Sequence, residues 1–519
     1  DLDGQVTKQI LADAREIDYT YDDFGNLTSV TPPSKPVHSI TYNAANLQST
    51  YVAPDIGLSS HTTQYDYNQD KQLELITRPD GKMIDLGYDT AGKLGTITTT
   101  SGATTFAYNA TTGNLATLTM PSGDSLSYGY DGFLLTSSSW VGTVSGSITR
   151  TYDNDFRITN RTVNGTSSIA YAYDDDGLLT NAGDLTLTRD ADNGLLTGTT
   201  LDSITTSIWY NEFAEVSGSD ALYDGTSVYQ TGYTRDDTGR ISSLTETAYG
   251  ITSAYAYTYD DTGRLTDVNK NGADYSSYSY DDNGNRLTHT DDTTATTTTG
   301  VYDDQDRLTS YGSNTYTYSD NGELLTKVDT SGTTIYEYDE LGNLLSVRLP
   351  SEKIVEYVID ANNRRIGKKV DGSLTTGFIY QDQLKIIAEL GSTGTVASRF
   401  VYGSRPNVPD YMIVGTSTYR IISDHLGSVR YVVDANTGSV AQVMTYDEFG
   451  RVLSDSNPGF QPFGFAGGLY DYETGLTRFG ARDYDAEVGR WTSKDPIGFN
   501  GGDTNLYGYV VGDPMNFID

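Results

Sequence analysis

Carboxylates are the side chains of this sequence best suited to chemistry, since it contains 70 Asp and Glu residues but only four His and no Cys. Aspartates recur in short turns such as Asp22-Asp23-Phe24-Gly25, where clustered oxygen atoms could bind calcium. None of these turns has the D-x-D-x-D-G order followed by a Glu at the twelfth position of a calcium loop. An aspartate that begins a turn also accepts hydrogen bonds from the backbone of that turn. Turn capping is therefore the favoured interpretation, and no metal site or cofactor is predicted.

Histidine offers one further candidate, His425, within the phrase Asp424-His425-Leu426-Gly427. A catalytic triad or a metal centre needs several partners of fitting type and spacing. The four histidines of the chain form no such set, and there is no Cys to complete one. We therefore interpret His425 as a structural residue.

The elements that must position these side chains repeat along the chain. A Tyr-Asp pair is followed by a Gly, always at the fourth position after the tyrosine, at Tyr21, Tyr88, Tyr173, Tyr259, Tyr280, Tyr338 and Tyr446. Degenerate copies, in which Asn or Asp follows the tyrosine, occur at Tyr42, Tyr67, Tyr108, Tyr130, Tyr152 and Tyr302. Successive tyrosines are about 20 to 25 residues apart, a period typical of repeat architectures.

Each copy of the repeat reads as one β-hairpin. The aspartate suits the start of a type I turn, and the glycine suits a position with positive φ. Before the turn, tyrosines at alternate positions, as in Tyr255, Tyr257 and Tyr259, share one face of a strand. After it, a run rich in Thr and Ser predicts the returning strand. A single hairpin is too small to be stable, so the repeats must stack.

The rows of tyrosines allow two interpretations. They could form a surface on which sugars or bases stack, or they could pack repeat against repeat, which is favoured because the rows recur in nearly every unit. The chain has 42 Tyr but 14 Phe and 3 Trp, and the hydroxyl group suits a sheet face that is partly wet. Helical signals are sparse, and the strongest lies near Gln383 to Leu390.

Composition excludes several classes of function. The formal net charge of -36 argues against binding to a nucleic-acid backbone, which needs clustered Lys and Arg. It fits a strongly solvated surface, or an attraction for a basic partner. The absence of Cys excludes disulfides and thiolate zinc sites. No apolar run is long enough to span a membrane, and Asp1-Leu2-Asp3-Gly4 is not a signal peptide. Because the chain begins within a repeat-like phrase, we predict that it is part of a longer protein.

The texture of the sequence changes near residue 351, and nothing before about residue 345 resembles a linker. We therefore predict a repeat region over 1–350 and a distinct region over 351–519. The second region contains D-H-L-G-S-V-R at Asp424 to Arg430, E-T-G-L at Glu473 to Leu476, G-A-R-D-Y-D at Gly480 to Asp485, G-R-W-T-S-K-D-P-I-G-F at Gly489 to Phe499 and N-L-Y-G-Y at Asn505 to Tyr509. With the repeats, these phrases make the chain resemble the YD-repeat (RHS) family, which includes bacterial polymorphic toxins, the C components of insecticidal toxin complexes and the teneurins.

The resemblance implies an all-β fold in which antiparallel hairpin repeats wind spirally into a hollow shell, or cocoon. Residues 351–519 would be the core that closes one end of the shell and leads into a self-cleavage region. In many bacterial members an aspartic-protease-like site cuts the chain shortly after a D-P-x-G-L phrase. The released C-terminal polypeptide stays inside the shell.

The same resemblance assigns three catalytic residues. The first aspartate corresponds to Asp495, the supporting arginine to Arg482, and the second aspartate, which opens the D-P-x-G-L phrase, to Asp519. The chain departs from the family pattern at Asp483, where an aromatic residue is more usual, and at Ala486, where Pro is common. The spacing from Asp495 to Asp519 is also slightly longer than is typical. The chain stops at Asp519, so the bond to be cut would lie beyond it.

The assigned residues make chemical sense for hydrolysis. Two neighbouring carboxylates do not ionise together easily, so one can remain an acid while the other activates water, and a guanidinium can stabilise an oxyanion. Each residue also has an ordinary structural alternative. Asp495 could begin a turn before Pro496, Arg482 could form a salt bridge within a sheet, and Asp519 could be a solvated terminus.

Two functional hypotheses follow. In the first, the chain is a structural β-shell that encloses its own C-terminal polypeptide, a toxin, and releases it by aspartic-type self-cleavage, at most a single turnover. N-terminal delivery or plug domains would be further partners, and the protein would be secreted by a bacterium, with delivery by a secretion system. In the second, the chain is an extracellular adhesion protein or scaffold, as teneurins are, and releases nothing. A glycan-binding role for exposed tyrosines is a third alternative.

Overall fold

The computed structural model describes residues 3–519 as an almost purely β structure, which confirms the predicted fold class. Asp1 and Leu2, where the predicted repeat region begins, lie outside the described residues. Forty-three strands form one long antiparallel sheet in which each strand pairs with the next along the chain, and the sheet is not closed on itself. Four further short strands form a separate sheet.

The first strands are β1 (Lys8–Ile10), β2 (Glu16–Tyr21), β3 (Leu27–Thr31), β4 (His38–Tyr42), β5 (Gln48–Val52), β6 (Thr62–Tyr67), β7 (Leu73–Thr77), β8 (Met83–Tyr88), β9 (Leu94–Thr99), β10 (Gly102–Tyr108), β11 (Leu115–Thr119) and β12 (Ser125–Asp131). They continue with β13 (Leu134–Val141), β14 (Gly146–Tyr152), β15 (Ile158–Val163), β16 (Ser167–Tyr173), β17 (Leu179–Ala182), β18 (Leu185–Arg189), β19 (Leu196–Leu201), β20 (Ile204–Tyr210), β21 (Val216–Tyr223), β22 (Thr226–Arg235), β23 (Ile241–Ala248) and β24 (Ile251–Tyr259).

The remaining strands of the long sheet are β25 (Leu265–Lys270), β26 (Ala273–Tyr280), β27 (Arg286–Asp291), β28 (Thr296–Tyr302), β29 (Leu308–Tyr311), β30 (Asn314–Tyr318), β31 (Leu324–Asp329), β32 (Gly332–Tyr338), β33 (Leu344–Arg348), β34 (Ile354–Ile359), β35 (Arg365–Val370), β36 (Ser373–Tyr380), β37 (Ile386–Gly391), β38 (Val396–Val401), β39 (Tyr411–Val414), β40 (Ser417–Ser423), β41 (Val429–Asp434), β42 (Val440–Tyr446) and β43 (Val452–Asp455). The small sheet contains β44 (Leu469–Tyr470), β45 (Leu476–Phe479), β46 (Arg482–Asp485) and β47 (Arg490–Trp491). Short 3-10 helices cover Phe465–Gly467, Gly498–Gly501 and Val510–Gly512.

The turns have the conformation that the repeat predicts. In the first full repeat, Asp22 Oδ1 accepts the backbone N–H groups of Phe24 and Asn26, both at 2.9 Å. The glycine that follows, Gly25, has φ 85°, and Gly342 in a later repeat has φ 83°. Degenerate repeats place other residues in this left-handed conformation, namely Asn46, Lys71, Phe156 and Asp306. The turn prediction is therefore confirmed.

The tyrosine hydroxyl makes a specific hydrogen bond, whereas the sequence suggested only that it suits a partly solvated sheet face. In repeat after repeat it donates to the main-chain carbonyl that begins the returning strand of the preceding repeat, as Tyr280 does to Leu265 at 2.8 Å. The same bond is made by Tyr42, Tyr67, Tyr88, Tyr108, Tyr173, Tyr210, Tyr259, Tyr302, Tyr380 and Tyr402. Tyr21 and Tyr152 donate to nearby carbonyls, those of Val6 just before β1 and Leu135 within β13. Phenylalanine would pack as well but could not make this link between repeats.

An arginine strengthens the same junction in several repeats. Arg264 pairs with the repeat aspartate Asp260 at 2.6 Å, while its guanidinium lies 5.0 Å from the ring centre of Tyr280 in the next repeat. In these repeats an ion pair within the turn positions the arginine, and its cation–π contact joins the repeat to the next one in addition to the sheet ladder.

The sheet winds past itself. Hydrogen bonds join residues that are 213 to 268 positions apart along much of the chain. Examples are Arg15 with Thr262, Lys35 with Asp303, Arg78 with Glu323, Trp140 with Asp360 and Tyr223 with Asn436. Since this separation stays within a narrow range, the sheet is a spiral strip. We call β1–β24 the first winding and β25–β43 the second winding.

The strip does not fill the space of a compact domain. A compact monomer of this mass would expose about 18,500 Å² of surface. The protein exposes 22809 Å². In β6, β7 and β9 no residue is fully buried, so these strands are not covered by a tightly packed second layer. This arrangement fits a curved strip that surrounds space.

Residues 456–519, which we call the end segment, cover part of the tyrosine face. Leu476 and Val488 pack with Tyr316, Tyr336 and Tyr357 of the second winding. Met515 packs in a second cluster that contains tyrosines of β22, β24 and β26. The end segment therefore lies against the inner tyrosine rows.

Two sequence-based predictions need comment. The helical signal near Gln383 to Leu390 is wrong, because Ile386–Gly391 forms strand β37 and pairs on both sides with its neighbours. The boundary between residues 350 and 351 lies in the connection between β33 and β34, and these strands pair across it. The division into 1–350 and 351–519 stays a prediction. Within residues 3–519, the structure has no helix with the length and apolar character needed to cross a membrane.

Candidate functional site

Arg482 lies at the start of β46 in the small sheet, opposite Phe479 of β45. Its guanidinium carbon is 4.1 Å from the ring centre of Trp491, which lies on the neighbouring strand β47. Only 10% of the arginine side chain is exposed. The aromatic ring thus fixes the plane of a nearly buried cation.

Asp495 and Asp519 meet on this cation. Arg482 Nη2 is 3.1 Å from Asp495 Oδ2 and 3.4 Å from Asp519 Oδ2. The exposed fraction is 18% for the Asp495 side chain and 43% for the Asp519 side chain. The structure therefore brings together all three residues that the sequence resemblance singled out. Their catalytic role stays a prediction.

The backbone around Asp495 explains how one carboxylate both caps a turn and faces the arginine. Its Oδ1 atom accepts the N–H of Ile497 at 2.9 Å, and its own N–H donates to the Leu506 carbonyl at 2.9 Å. The other oxygen atom, Oδ2, pairs with Arg482. A Cβ added at Gly501 would lie 3.1 Å from this Oδ2 atom. The structural and the catalytic interpretation of Asp495 are thus compatible, because they use different oxygen atoms.

The electrostatics of the site depend on this pairing. Burial lowers the pKa of Arg482, while the Asp495 and Asp519 carboxylates act in the opposite direction. A buried cation without such partners would carry a large desolvation cost. The guanidinium is therefore held by two carboxylates at once. A water molecule bound between them could lose a proton to one carboxylate, while the other, in its protonated form, donates a proton to the leaving nitrogen.

The departures from the family pattern have structural explanations. Asp483 is buried and accepts hydrogen bonds from Arg365 at 2.8 Å and from Arg478 at 2.9 Å. An aspartate here ties the end segment to β35 of the second winding. Ala486 is buried in the aromatic cluster of the end segment. Neither residue contacts the carboxylate pair through any recorded hydrogen bond.

An aromatic cluster supports the site, and sequence reasoning missed one of its members. Tyr509 packs with its ring centre 4.3 Å from Tyr484 and 5.5 Å from Trp491. Its hydroxyl is buried without a hydrogen-bond partner among the described residues. Val510 and Val511 follow with φ 42° and 52°. The phrase N-L-Y-G-Y was visible in the sequence, but nothing in it distinguishes an unpaired hydroxyl from a paired one.

His425 is held in place by its contacts with neighbouring residues. Its Nε2 donates to the Met515 carbonyl at 2.7 Å, its ring lies 4.9 Å from Tyr233, and burial lowers its pKa. In the part of the chain that the structure describes, no group of three His, Cys, Asp or Glu side chains could hold a metal ion.

Comparisons with known proteins agree with this architecture. The family profile described as Teneurin YD-shell matches residues 3–515. Teneurin-3 of Danio rerio is 27% identical over 568 aligned positions, which cover 100% of this chain. Among solved structures, the Tc holotoxin pore of Photorhabdus luminescens superimposes with a TM-score of 0.79 over 97% of this chain at 15% identity. A crystal structure of TcdB2-TccC3 without its hypervariable C-terminal region gives a TM-score of 0.69 over 97% of this chain at 14% identity.

These relatives are much longer than the chain. It spans 20% of Teneurin-3, 29% of the chain in the holotoxin pore and 30% of the chain in the TcdB2-TccC3 structure. The low identity to the solved structures makes them a comparison of fold. Family and fold together support a shell-like structural role.

Proposed function

Since this chain belongs to the teneurin YD-shell family, we propose that it forms part of a shell around a polypeptide that continues from its C-terminal end. We further propose that Asp495, Asp519 and Arg482 cut this polypeptide from the shell, shortly after Asp519. The observation that carries the proposal is the meeting of both carboxylates on one nitrogen of Arg482. The hypervariable C-terminal region of the TcdB2-TccC3 neighbour supports it by analogy.

The proposed step is the hydrolysis of one peptide bond. One carboxylate removes a proton from water as the water oxygen attacks the carbonyl carbon, whose π electrons move to the oxygen. When the oxyanion collapses, the C–N bond breaks and its electron pair returns to nitrogen, which takes a proton from the other, protonated carboxyl. Arg482 holds the two groups in place and balances the negative charge of the ionised carboxylate.

The enclosing role is supported by the surface of the strip. The tyrosine face of the early strands is half-buried and has no covering layer, as in β6 and β7. An enclosed polypeptide would meet this face. N-terminal delivery or plug domains would complete the shell, and we expect a secreted protein in which the cargo, a toxin in this proposal, stays harmless until release.

The experiment is a comparison of the natural full-length chain with its Asp495→Asn variant. We expect the wild type to give two fragments on a denaturing gel that co-elute under native conditions. The variant should give one band, because it loses the charge and one acceptor oxygen at the site. Asp503→Asn, a change in the same segment, is the matched control and should still give two bands. Two bands from Asp495→Asn would contradict the proposed site.

A teneurin-like scaffold or adhesion protein is the second candidate function. Its support is the sequence match to Teneurin-3 over the whole chain. In this case nothing is released, and the salt bridges of Arg482 serve stability alone. The same gel separates the two proposals, since a scaffold would remain one band in the wild type.

A further inference from the structure

We propose that Tyr509 is a further catalytic residue, whose hydroxyl donates a hydrogen bond to the oxyanion formed during cleavage. This inference rests on the proposed self-cleavage. It goes beyond it by assigning a role to a residue outside the Asp495, Asp519 and Arg482 set.

The hydroxyl of Tyr509 is a buried hydrogen-bond donor without a partner in the described part of the chain. The side chain of Tyr509 is 2% exposed, and its hydroxyl contacts no acceptor among residues 3–519. A buried hydroxyl without a partner is destabilising, so one that persists in a well-packed cluster calls for an explanation. A carbonyl oxygen of the polypeptide that continues beyond Asp519 is the type of acceptor that it lacks.

Tyr509 lies close to the residues proposed to cut the chain. Tyr509 and Arg482 both pack against Trp491, at 5.5 Å between ring centres and 4.1 Å from the guanidinium carbon. Burial raises the pKa of Tyr509, and the Asp519 carboxylate adds to this effect. The hydroxyl therefore lies within electrostatic range of Asp519 and keeps its proton at neutral pH.

The backbone that follows Tyr509 is strained. Val510 and Val511 have φ 42° and 52°, a region that β-branched residues rarely enter. Such strained residues persist where the surrounding structure stabilises them. These two residues link Tyr509 to the last residues before Asp519, so the strain lies between the proposed donor and the proposed carboxylate.

The division of labour follows from the contacts of Arg482. Its Nη2 atom is shared by both carboxylates, so this nitrogen holds the acid and the base. The carbonyl oxygen that gains negative charge when water attacks needs another donor, and Tyr509 supplies a buried O–H group. The hydrogen bond strengthens as charge develops on the oxygen and weakens again when the C–N bond breaks.

The test is the rate of self-cleavage in the natural full-length chain after a short pulse of in vitro translation. Tyr509→Phe should slow cleavage about 100- to 1000-fold, the usual effect of removing one oxyanion donor. Its melting temperature should equal or exceed that of the wild type, because the change removes an unpaired polar group. A wild-type cleavage rate in this variant would overturn the inference.

Tyr484→Phe is the matched control. Tyr484 belongs to the same aromatic cluster, but its hydroxyl donates to the Phe449 carbonyl at 2.8 Å. This variant should melt at a lower temperature and still cleave at the wild-type rate. Equal slowing of both variants would indicate a packing effect and overturn the assignment to Tyr509.

The outcomes also separate this inference from the function on which it rests. If the wild type remains whole, or if Asp495→Asn is cut normally, the proposed cleavage is wrong. If Asp495→Asn is inactive and Tyr509→Phe cleaves normally, only the role of Tyr509 is wrong. Should Tyr509→Phe fail to co-elute as a native shell, 3-fluorotyrosine at this position preserves the ring and changes the donor strength, and an unchanged rate would then overturn the inference.

Discussion

The two windings of the sheet carry the same repeat but differ in what lies against their tyrosine face. In the second winding, residues two positions before the repeat turn are 5% or 6% exposed, namely Tyr278, Tyr316, Tyr336 and Tyr357. The residues at the same position in the early strands of the first winding are half-buried, namely Tyr19, Ile40, Tyr65, Leu86, Phe106 and Tyr128. The end segment lies against Tyr316, Tyr336 and Tyr357. Tyr278 is covered by Phe449 and Glu448 of the connection between β42 and β43, and no described residue covers the second set to the same degree.

This difference distinguishes the contacts that form the strip from the contacts made by residues that lie against its tyrosine face. Both windings have the Asp-capped turn and the tyrosine hydroxyl bond, as Tyr42 and Tyr280 illustrate. These links run along the strip and do not need a covering layer. Burial of the tyrosine face is therefore an additional source of stability, which arises only where another polypeptide lies against it.

The largest effect should come from removing a covered tyrosine. Tyr336→Ala should destabilise the protein by about 3 to 5 kcal/mol, as expected for a large buried aromatic side chain. Tyr65→Ala, at the same repeat position in the first winding, should cost about 1 kcal/mol, because its side chain is half-exposed already. The shift of the urea unfolding midpoint measures both. Similar shifts would mean that the first winding is covered too.

A buried acid gives the next largest effect, since Glu448 is removed from water where it packs against Ser276 and Tyr278 of β26. Burial, followed by the Asp447 charge, raises the pKa of Glu448 to about 7, and its carboxylate accepts hydrogen bonds from Tyr278 and Ser276. Between about pH 4.5 and pH 7 the unfolded chain releases this proton while the folded chain retains it. Stability contributed by Glu448 therefore falls as the pH rises through this window.

Glu448→Gln should remove this pH dependence, because an amide oxygen can still accept both hydrogen bonds. At pH 8 the variant should be more stable than the wild type by up to about 3 kcal/mol, and the gap should close at pH 4. Glu74→Gln, an exposed acid of the first winding, is the control and should follow the wild type at every pH. A variant less stable than the wild type at pH 8 would show that the carboxylate is ionised and favourably placed.

Whether a feature could be predicted from the sequence depends on how far apart along the chain its interacting residues lie. The turn at Asp22 and Gly25 is local, and so it was predictable from turn chemistry. The acceptor of each tyrosine hydroxyl lies about one repeat earlier, and the partner of Arg15 lies 247 residues away, at Thr262. Contacts of this kind are set by the curvature of the strip, which hydrophobic periodicity does not contain.

The candidate site illustrates the same limit. Asp495, Asp519 and Arg482 could be named because a family resemblance supplied the pattern. Their geometry depends on Trp491, which orients the guanidinium. Tyr509 could not be singled out, because the lack of a partner for its hydroxyl within residues 3–519, which the Tyr316 and Tyr338 hydroxyls share, is visible only in three dimensions.

Substitutions at the turn glycine position test whether the positive φ of the repeat turn is required equally in both windings. Gly342→Val should cost about 1 to 3 kcal/mol, because φ is 83°. Since no atom lies within 4 Å of an added Cβ, the cost would come from the backbone alone. Lys71→Gly makes the opposite change at the equivalent position of the first winding, where φ is 65°, and should be neutral or stabilising. Unchanged unfolding of Gly342→Val would mean that this turn can adopt another conformation.

The smallest effect concerns the bond that joins successive repeats. Tyr280→Phe removes the hydroxyl donor to the Leu265 carbonyl and should cost about 1 kcal/mol, because the acceptor is left in a buried junction. Tyr42→Phe removes the same bond, of 3.0 Å to Leu27, in the first winding. There water can reach the freed carbonyl, so the loss should be about 0.5 kcal/mol or less. Equal losses in the two variants would show that the link between repeats does not depend on the cover, and that the strip is equally strong along its whole length.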